Sequence, residues 1–385
     1  MPNKERKTIE KTDWVSSFNL IGKPKITEYT FKIDEHSEKS AWIYNSMNLG
    51  IDCGEKYGVV YAEMMGGYSE EGQNVIYAHG KDENGNDDFS NKITVDFEDR
   101  FDESILEEIG DMCFVKVGIE KTKNGKTYEK KFLSAYDAIK YINKYLEEDM
   151  VLNVKGTLKY SEYNENTQVR KNITSIFLSK ADTSDKYVAK FTQSILIDKY
   201  SVDLKNVNRE KGIVYVDATV LDYVKTYNGI EVRGQIPYKK QFEFKVDFNN
   251  PETTKKIISK LFSVKKGYDQ ITFDGYFIEG GATVQATMED VPDDLRELYE
   301  LGMFTKEEVL EQCSDRKNKE YRMILRRPIS KRKGEEDNRV TELQVFKGRY
   351  SDDDLYLDYL YEDKENESDI DNEEDDDDFE WLKDI

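Results

Sequence analysis

Two histidines and three cysteines are the entire supply of imidazole and thiol in this 385-residue chain. His36 lies in the polar run DEHSEK, and His79 ends a short apolar run before a turn, so both read as surface or strand-end residues. Cys53, Cys113 and Cys313 are isolated and odd in number, which implies no disulfide framework and suits a reducing compartment. No Cys-x-x-Cys or Cys/His spacing suggests zinc. The glycine signatures of a phosphate loop, a nucleophile elbow and a dinucleotide turn are missing as well. Asp293-Asp294 follows Pro292 just before Leu295, Leu298 and Leu301, which reads as helix capping rather than as a carboxylate site. The expectation is a protein without catalytic residues, metal or cofactor.

What remains is non-covalent chemistry: cations that could follow phosphates, and rings on which bases could stack. Lys121, Lys123, Tyr128, Lys130 and Lys131 flank one Asn-Gly pair. Lys225, Tyr227, Arg233, Lys239, Lys240 and Phe242 flank another. Between them lie Tyr160, Tyr163, Arg170 and Lys171. Residues 316–333 (RKNKEYRMILRRPISKRK) carry nine Lys/Arg against one Glu, with Arg322, Arg326 and Arg327 at the centre, and predict a positive stripe. Any single one of these could equally protect a sheet edge or fill a core. Their recurrence at matching places favours a binding surface.

The elements that would position them repeat. KTKNG at 121–125 and KTYNG at 225–229 each hold the Asn-Gly signature of a two-residue hairpin. Val115, Val117 and Ile119 alternate before the first; Thr219, Leu221 and Tyr223 before the second. Each hairpin leads to a helix: Ser134 caps Ala138, Ile142 and Leu146, while Asn250 and Pro251 open Ile257, Ile258, Leu261 and Phe262. A strand with an internal glycine follows, VKGTL at 154–158 and FDGYF at 273–277, then a closing strand. Strand, hairpin, strand, helix, strand, strand is the order of an OB-fold, a five-stranded Greek-key barrel. The fold class is therefore mainly β with inserted helices: tandem OB-fold-like Greek-key barrels plus a disordered acidic C-terminal tail. The expected domains are 1–180 with an N-terminal extension, 186–350 with a helical insertion between strands 4 and 5, and the tail at 351–385. Runs at Trp42–Leu49, Val59–Met65 and Ile93–Phe97 predict further strands, including the first strand of the first barrel.

The formal net charge is −22, which taken whole argues against nucleic acid. Residues 351–385 alone carry 18 acidic and 2 basic side chains, net −16, leaving 61 acidic and 55 basic in 1–350. The extreme charge belongs to one segment. Its part from Glu362 to Asp378 lacks the apolar surface to offset ordering, yet its tip holds Phe379, Trp381, Leu382 and Ile385. An acidic run with an apolar tip suits docking of a partner. No stretch approaches a membrane span and no apolar signal core opens the chain, so a soluble cytoplasmic protein is expected.

Tandem barrels with charged, aromatic grooves and an acidic, apolar-tipped C-terminus resemble the single-stranded DNA-binding proteins of bacterial and phage replication. The familiar bacterial type has one shorter barrel and a Pro-Phe ending, whereas this chain has two apparent copies and ends DDDDFEWLKDI. The resemblance implies sequence-tolerant binding of single-stranded DNA in replication and recombination. It also implies a tail that recruits polymerase, helicase or primase and competes with DNA for the groove; a phage origin fits best. Two alternatives stand beside it: an interaction protein without DNA affinity, such as a DNA mimic or virion component, and a carboxylate-metal nuclease.

Overall fold

In the computed structural model, residues 7–121, 127–163, 166–205, 207–280, 288, 291–301, 303–306, 309–310, 321–333 and 340–360 are described. The strands of the first half are β1 (Ser16–Lys25), β2 (Phe31–His36), β3 (Trp42–Asp52), β4 (Val59–Ser69), β5 (Val75–Lys81) and β6 (Asp87–Asp96). After α1 (Glu103–Glu108) come β7 (Val115–Lys121), β8 (Thr127–Phe132), α2 (Ala135–Tyr145), β9 (Leu152–Tyr163) and β10 (Asn166–Leu178). The second half holds β11 (Val188–Ile197), β12 (Val207–Asn208), β13 (Ile213–Tyr227), β14 (Ile230–Lys245), α3 (Pro251–Phe262), β15 (Tyr268–Glu279), α4 (Asp293–Glu300) and β16 (Tyr321–Pro328). β17 (Ser330–Lys333), β18 (Val340–Leu343), β19 (Val345–Tyr350) and α5 (Asp352–Leu355) complete the described chain.

Two five-stranded barrels close by the same circuit. In the first, β1 pairs β3, β3 pairs β4, β4 runs parallel to β10, and β9 joins β10 back to β1. In the second, β11, β13, β14, β16 and β15 repeat that order, again with one parallel contact, between β14 and β16. Strand order 1-2-3-5-4 with a helix before the fourth strand is the OB arrangement. α2 and α3 occupy that helix position. Ser134 Oγ accepts the Tyr136 N–H and Asn250 Oδ1 accepts the Thr253 N–H, while Ala138, Ile139 and Ile142, and Ile258 and Phe262, turn to the cores. Ile257, expected on the buried face, is exposed.

The strand glycines mark the repeat at atomic scale. Gly156 on β9 stands opposite Phe18 on β1, and Gly275 on β15 opposite Phe191 on β11. A Cβ on Gly156 would lie 1.9 Å from the Asn172 carbonyl oxygen, and one on Gly275 would lie 2.3 Å from the Phe191 ring. Each fourth strand thus makes room for a phenylalanine of its own first strand. Phe18 and Phe191 are buried to 3% and 1% exposure, each worth about 1.5–3 kcal/mol of transfer.

The second Asn-Gly hairpin forms as expected. β13 and β14 are joined through Asn228 and Gly229 with φ of 46° and 70°, as a two-residue turn of this hand needs. The first copy is different. Its second and third barrel strands are β3 and β4, and the pair β7–β8 around 121–125 is inserted between the third strand and the helix. β7 adds to the sheet by running parallel to β10, leaving β8 at the outer end of the strand order. Alternating residues around Asn-Gly specify a hairpin, and its place in a barrel is decided elsewhere. The hairpin β5–β6 builds a small core of its own from Val95, Ile109, Phe114 and Leu133.

The barrels share one sheet, because β1 pairs antiparallel with β11 from Ser16↔Gln193 to Ile21↔Val188. The acidic segment also needs correction at its start. Residues 351–360 are folded onto the body, with Leu355, Leu357 and Tyr359 buried and the Tyr359 hydroxyl donating to the Lys7 carbonyl. The part beyond 360, including Phe379, Trp381, Leu382 and Ile385, lies outside the described residues, as does most of 281–320, where the helical insertion between the fourth and fifth strands was expected.

Candidate nucleic-acid interface

The expected cations and rings do not form one groove. Around the first hairpin Lys121 and Tyr128 are exposed and Lys123 lies outside the described residues. Lys130 sits 4.4 Å from the Tyr141 ring centroid and 5.7 Å from that of Tyr128. Lys131 pairs with Asp111 at 2.6 Å, and Lys116 takes the other oxygen of that carboxylate. The two ammonium groups hold Asp111 at a pKa of about 2.

Two of the expected binding residues on the hairpin β9–β10, Tyr160 and Lys171, are instead built into the junction between barrels. Tyr160 is buried, its N–H donating to Asp222 Oδ2 at 2.7 Å and its hydroxyl to Gln193 Oε1 at 3.0 Å. Burial pushes that phenol far above its ordinary value. Lys171 is buried, with its ammonium 2.7 Å from Glu279 Oε1 and 3.4 Å from the Tyr321 hydroxyl. Burial alone would lower the lysine pKa, but Tyr321 and Glu279 outweigh it and hold the ammonium charged. Arg170 lies 3.7 Å from Glu63, and Tyr163 is partly buried.

In the second barrel Phe242 is a core residue packed near Phe191, because its position on β14 faces inward. Lys225 is exposed and Tyr227 partly so; Arg233 pairs with Glu231 at 2.5 Å, and Lys239 donates to Thr219 Oγ1 at 2.9 Å. Lys240 is half-buried, and burial followed by repulsion from Lys171 lowers its pKa. The three arginines at the centre of the basic run meet carboxylates that the run itself does not contain. Arg322 forks onto Glu243 at 2.5–3.0 Å, and Arg326 and Arg327 share Asp274 at 2.8 and 3.3 Å.

The sequence reading missed a different set, on the outer face of the shared sheet. Lys155 on β9, Asn19 on β1, Lys190 on β11 and Tyr276 on β15 stand opposite one another in register. Adjacent strands are about 4.8 Å apart, so the two ammonium stems stand about 10 Å apart with the ring one strand further. Lys155 and Lys190 are exposed and form no ion pair among the described residues. The β3–β4 loop lies beside this row. Gly58, at φ 74°, lets the backbone close on the Glu279 carbonyl, where a Cβ would lie 1.9 Å away. That clasp sets Lys56 4.8 and 5.4 Å from the rings of Tyr57 and Tyr276, which meet edge to face at 5.8 Å. On β4, the true third strand of the first barrel, Tyr61 and Met65 are exposed at 46% and 55%. The available signal was alternation: Lys155 directly precedes Gly156 and Lys190 directly precedes Phe191, so each lysine points outward where its neighbour points in.

The YorF family model matches residues 73–325. No curated protein matches the chain. Among solved structures the chain is similar to the wild-type single-stranded DNA binding protein of Thermus aquaticus, at 11% identity and a TM-score of 0.31, covering 70% of this chain and 87% of that one. A deletion mutant of the same protein matches at 10% identity and a TM-score of 0.30, covering 69% and 87%. No helix among the described residues is long and apolar enough to cross a membrane.

Proposed function

The chain belongs to the YorF family, and we propose that it is a non-catalytic, sequence-tolerant single-stranded DNA-binding protein acting in replication and recombination, of the phage-encoded kind. The observation that carries this reading is the row Lys155–Asn19–Lys190–Tyr276 across the sheet shared by two OB barrels. Lys155 and Lys190, without ion pairs among the described residues, supply charge for phosphates, and Tyr276 and Tyr57 supply π-faces that any base can use, each worth about 1–3 kcal/mol per stacked base. Binding of this kind tolerates sequence because neither group reads a base edge. The acidic segment beyond 360, with its apolar tip, serves to recruit polymerase, helicase or primase and to compete for the same cations.

Fluorescence anisotropy with labelled oligo-dT, against duplex of equal length, tests the reading: equal or absent binding overturns it. Lys155→Ala with Lys190→Ala removes two cations, so the slope of log K against log salt should fall in magnitude by about 1.4. A second reading, an interaction protein without DNA affinity, has the pairing of Arg322, Arg326 and Arg327 with Glu243 and Asp274 in its favour. The same titration separates the two.

A further inference from the structure

The β5–β6 insertion brings together the thiol, imidazole and carboxylate that look unrelated in sequence. Cys113 closes a 3-10 turn, Asp111–Cys113, just before β7; His79 is on β5 and Asp87 opens β6. His79 Nε2 is 2.7 Å from Asp87 Oδ1, which also accepts the Met112 N–H at 2.9 Å. The Cys113 sulfur is 3.2 Å from Nδ1 and 3.8 Å from Nε2 of the same ring, and the backbone N–H of His79 donates to it at 3.4 Å. Gly110 permits the packing, since a Cβ there would fall 2.4 Å from the Asp87 carboxylate and 2.6 Å from the imidazole.

We propose that Cys113 is an activated thiol, with His79 taking its proton and Asp87 holding the resulting imidazolium, and that it is a site of modification by alkylating agents and hydroperoxides. The chemistry follows from the contacts. With Nε2–H donating to Asp87, Nδ1 is left to accept the thiol proton. The thiolate then lies against a positive ring and accepts an N–H, both of which favour the charged sulfur. The sulfur is nearer Nδ1 than Nε2, and it lies 3.7 Å from the His79 carbonyl oxygen. Among nearby charged residues, Lys92 stands opposite His79 in the β5–β6 register, and Asp111 is tied to Lys116 and Lys131. The Met112 N–H and then His79 keep the Asp87 carboxyl below its ordinary value.

With a hydroperoxide, the sulfur attacks one peroxide oxygen. The S–O bond forms as the O–O bond breaks, and the leaving oxygen takes the imidazolium proton as water or an alcohol. Sulfur is oxidised by two electrons to the sulfenic acid and the peroxide is reduced by two. Cys113 is partly exposed, as this requires. Cys53 is the internal contrast: it is fully buried, and burial first of all pushes its thiol far up.

The test is the rate of iodoacetamide labelling of the full chain at pH 6.5, mapped separately onto the peptides of Cys53, Cys113 and Cys313. Contact with His79 favours the reactive thiolate in the native chain, and the lower intrinsic nucleophilicity of a stabilised thiolate takes back part of the gain, leaving an effect of about threefold. Cys113 should therefore label at least about threefold faster in the native chain than in the same chain unfolded in urea. His79→Gln should abolish the excess and Asp87→Asn should reduce it, and dilute hydrogen peroxide with a sulfenic-acid trap should tag Cys113. Native labelling no faster than unfolded overturns the proposal. So does a folded His79→Gln protein, checked by circular dichroism, that labels as fast as the parent. Should that variant not fold, the native-to-unfolded comparison decides alone.

Discussion

Replacing Lys171 by Met should be among the most destabilising single substitutions, because it strands Glu279 between the barrels. Lys171 comes from the fifth strand of the first barrel and Glu279 from the fourth strand of the second. Their side chains are 4% and 7% exposed and their charges 2.7 Å apart, although Glu279 Oε1 lacks a well-aligned hydrogen bond. At an effective dielectric of about 20 the attraction is on the order of 6 kcal/mol, most of it offset by the desolvation of two ions. Removing one ion discards the attraction and keeps the other's desolvation, a loss of about 3–5 kcal/mol. Replacing both, Lys171→Met with Glu279→Leu, removes the stranded charge and should cost far less than Lys171→Met alone. Urea unfolding followed by intrinsic fluorescence gives both values. Costs of the two single variants that simply add in the double would refute the reasoning. So would a Lys171→Met cost under about 1 kcal/mol.

The repeat and the C-terminus carry two further expectations. Gly156→Ala and Gly275→Ala each push a methyl into a backbone carbonyl and a buried phenylalanine ring, so each should cost about 1–3 kcal/mol in thermal unfolding; a neutral effect would show that the fourth strands can shift. Truncation after residue 360 should tighten oligo-dT binding and leave the melting temperature unchanged. Truncation after 350 also removes Leu355, Leu357 and Tyr359 from the core and should lower it, and equal melting temperatures would contradict their burial.

The barrels were legible in sequence because their signals are local. A cap before a helix, an Asn-Gly turn and a glycine inside a strand each act within a few residues, and in the second copy they fell in barrel order. In the first copy the same turn chemistry at 121–125 pointed to the wrong strands. A hairpin is stable wherever its two strands can pair, whereas closure of the first barrel depends on β1 reaching β9, a separation of well over a hundred residues. Nothing near Asn124 encodes that contact. His79, Asp87 and Cys113 were hidden for a similar reason: three residues on three elements meet only after the insertion folds.

The interface shows why density of charge along a chain is a poor guide to charge on a surface. Residues 316–333 are the most basic run in the sequence, yet the three arginines at its centre meet Glu243 and Asp274, which lie some fifty to eighty positions away. Lys155 and Lys190 stand alone in their local sequence, VKG and AKF, and draw no attention there. Pairing of β9 with β1 and of β1 with β11 sets them in one row with a tyrosine beyond. An ion pair consumes a cation for binding unless the ligand displaces the carboxylate, and displacement must first overcome a charge-assisted fork such as Arg322–Glu243. An unpaired lysine carries no such cost. On this argument Lys155 and Lys190 at the junction are more available to an anionic ligand than the three arginines at the centre of the basic run.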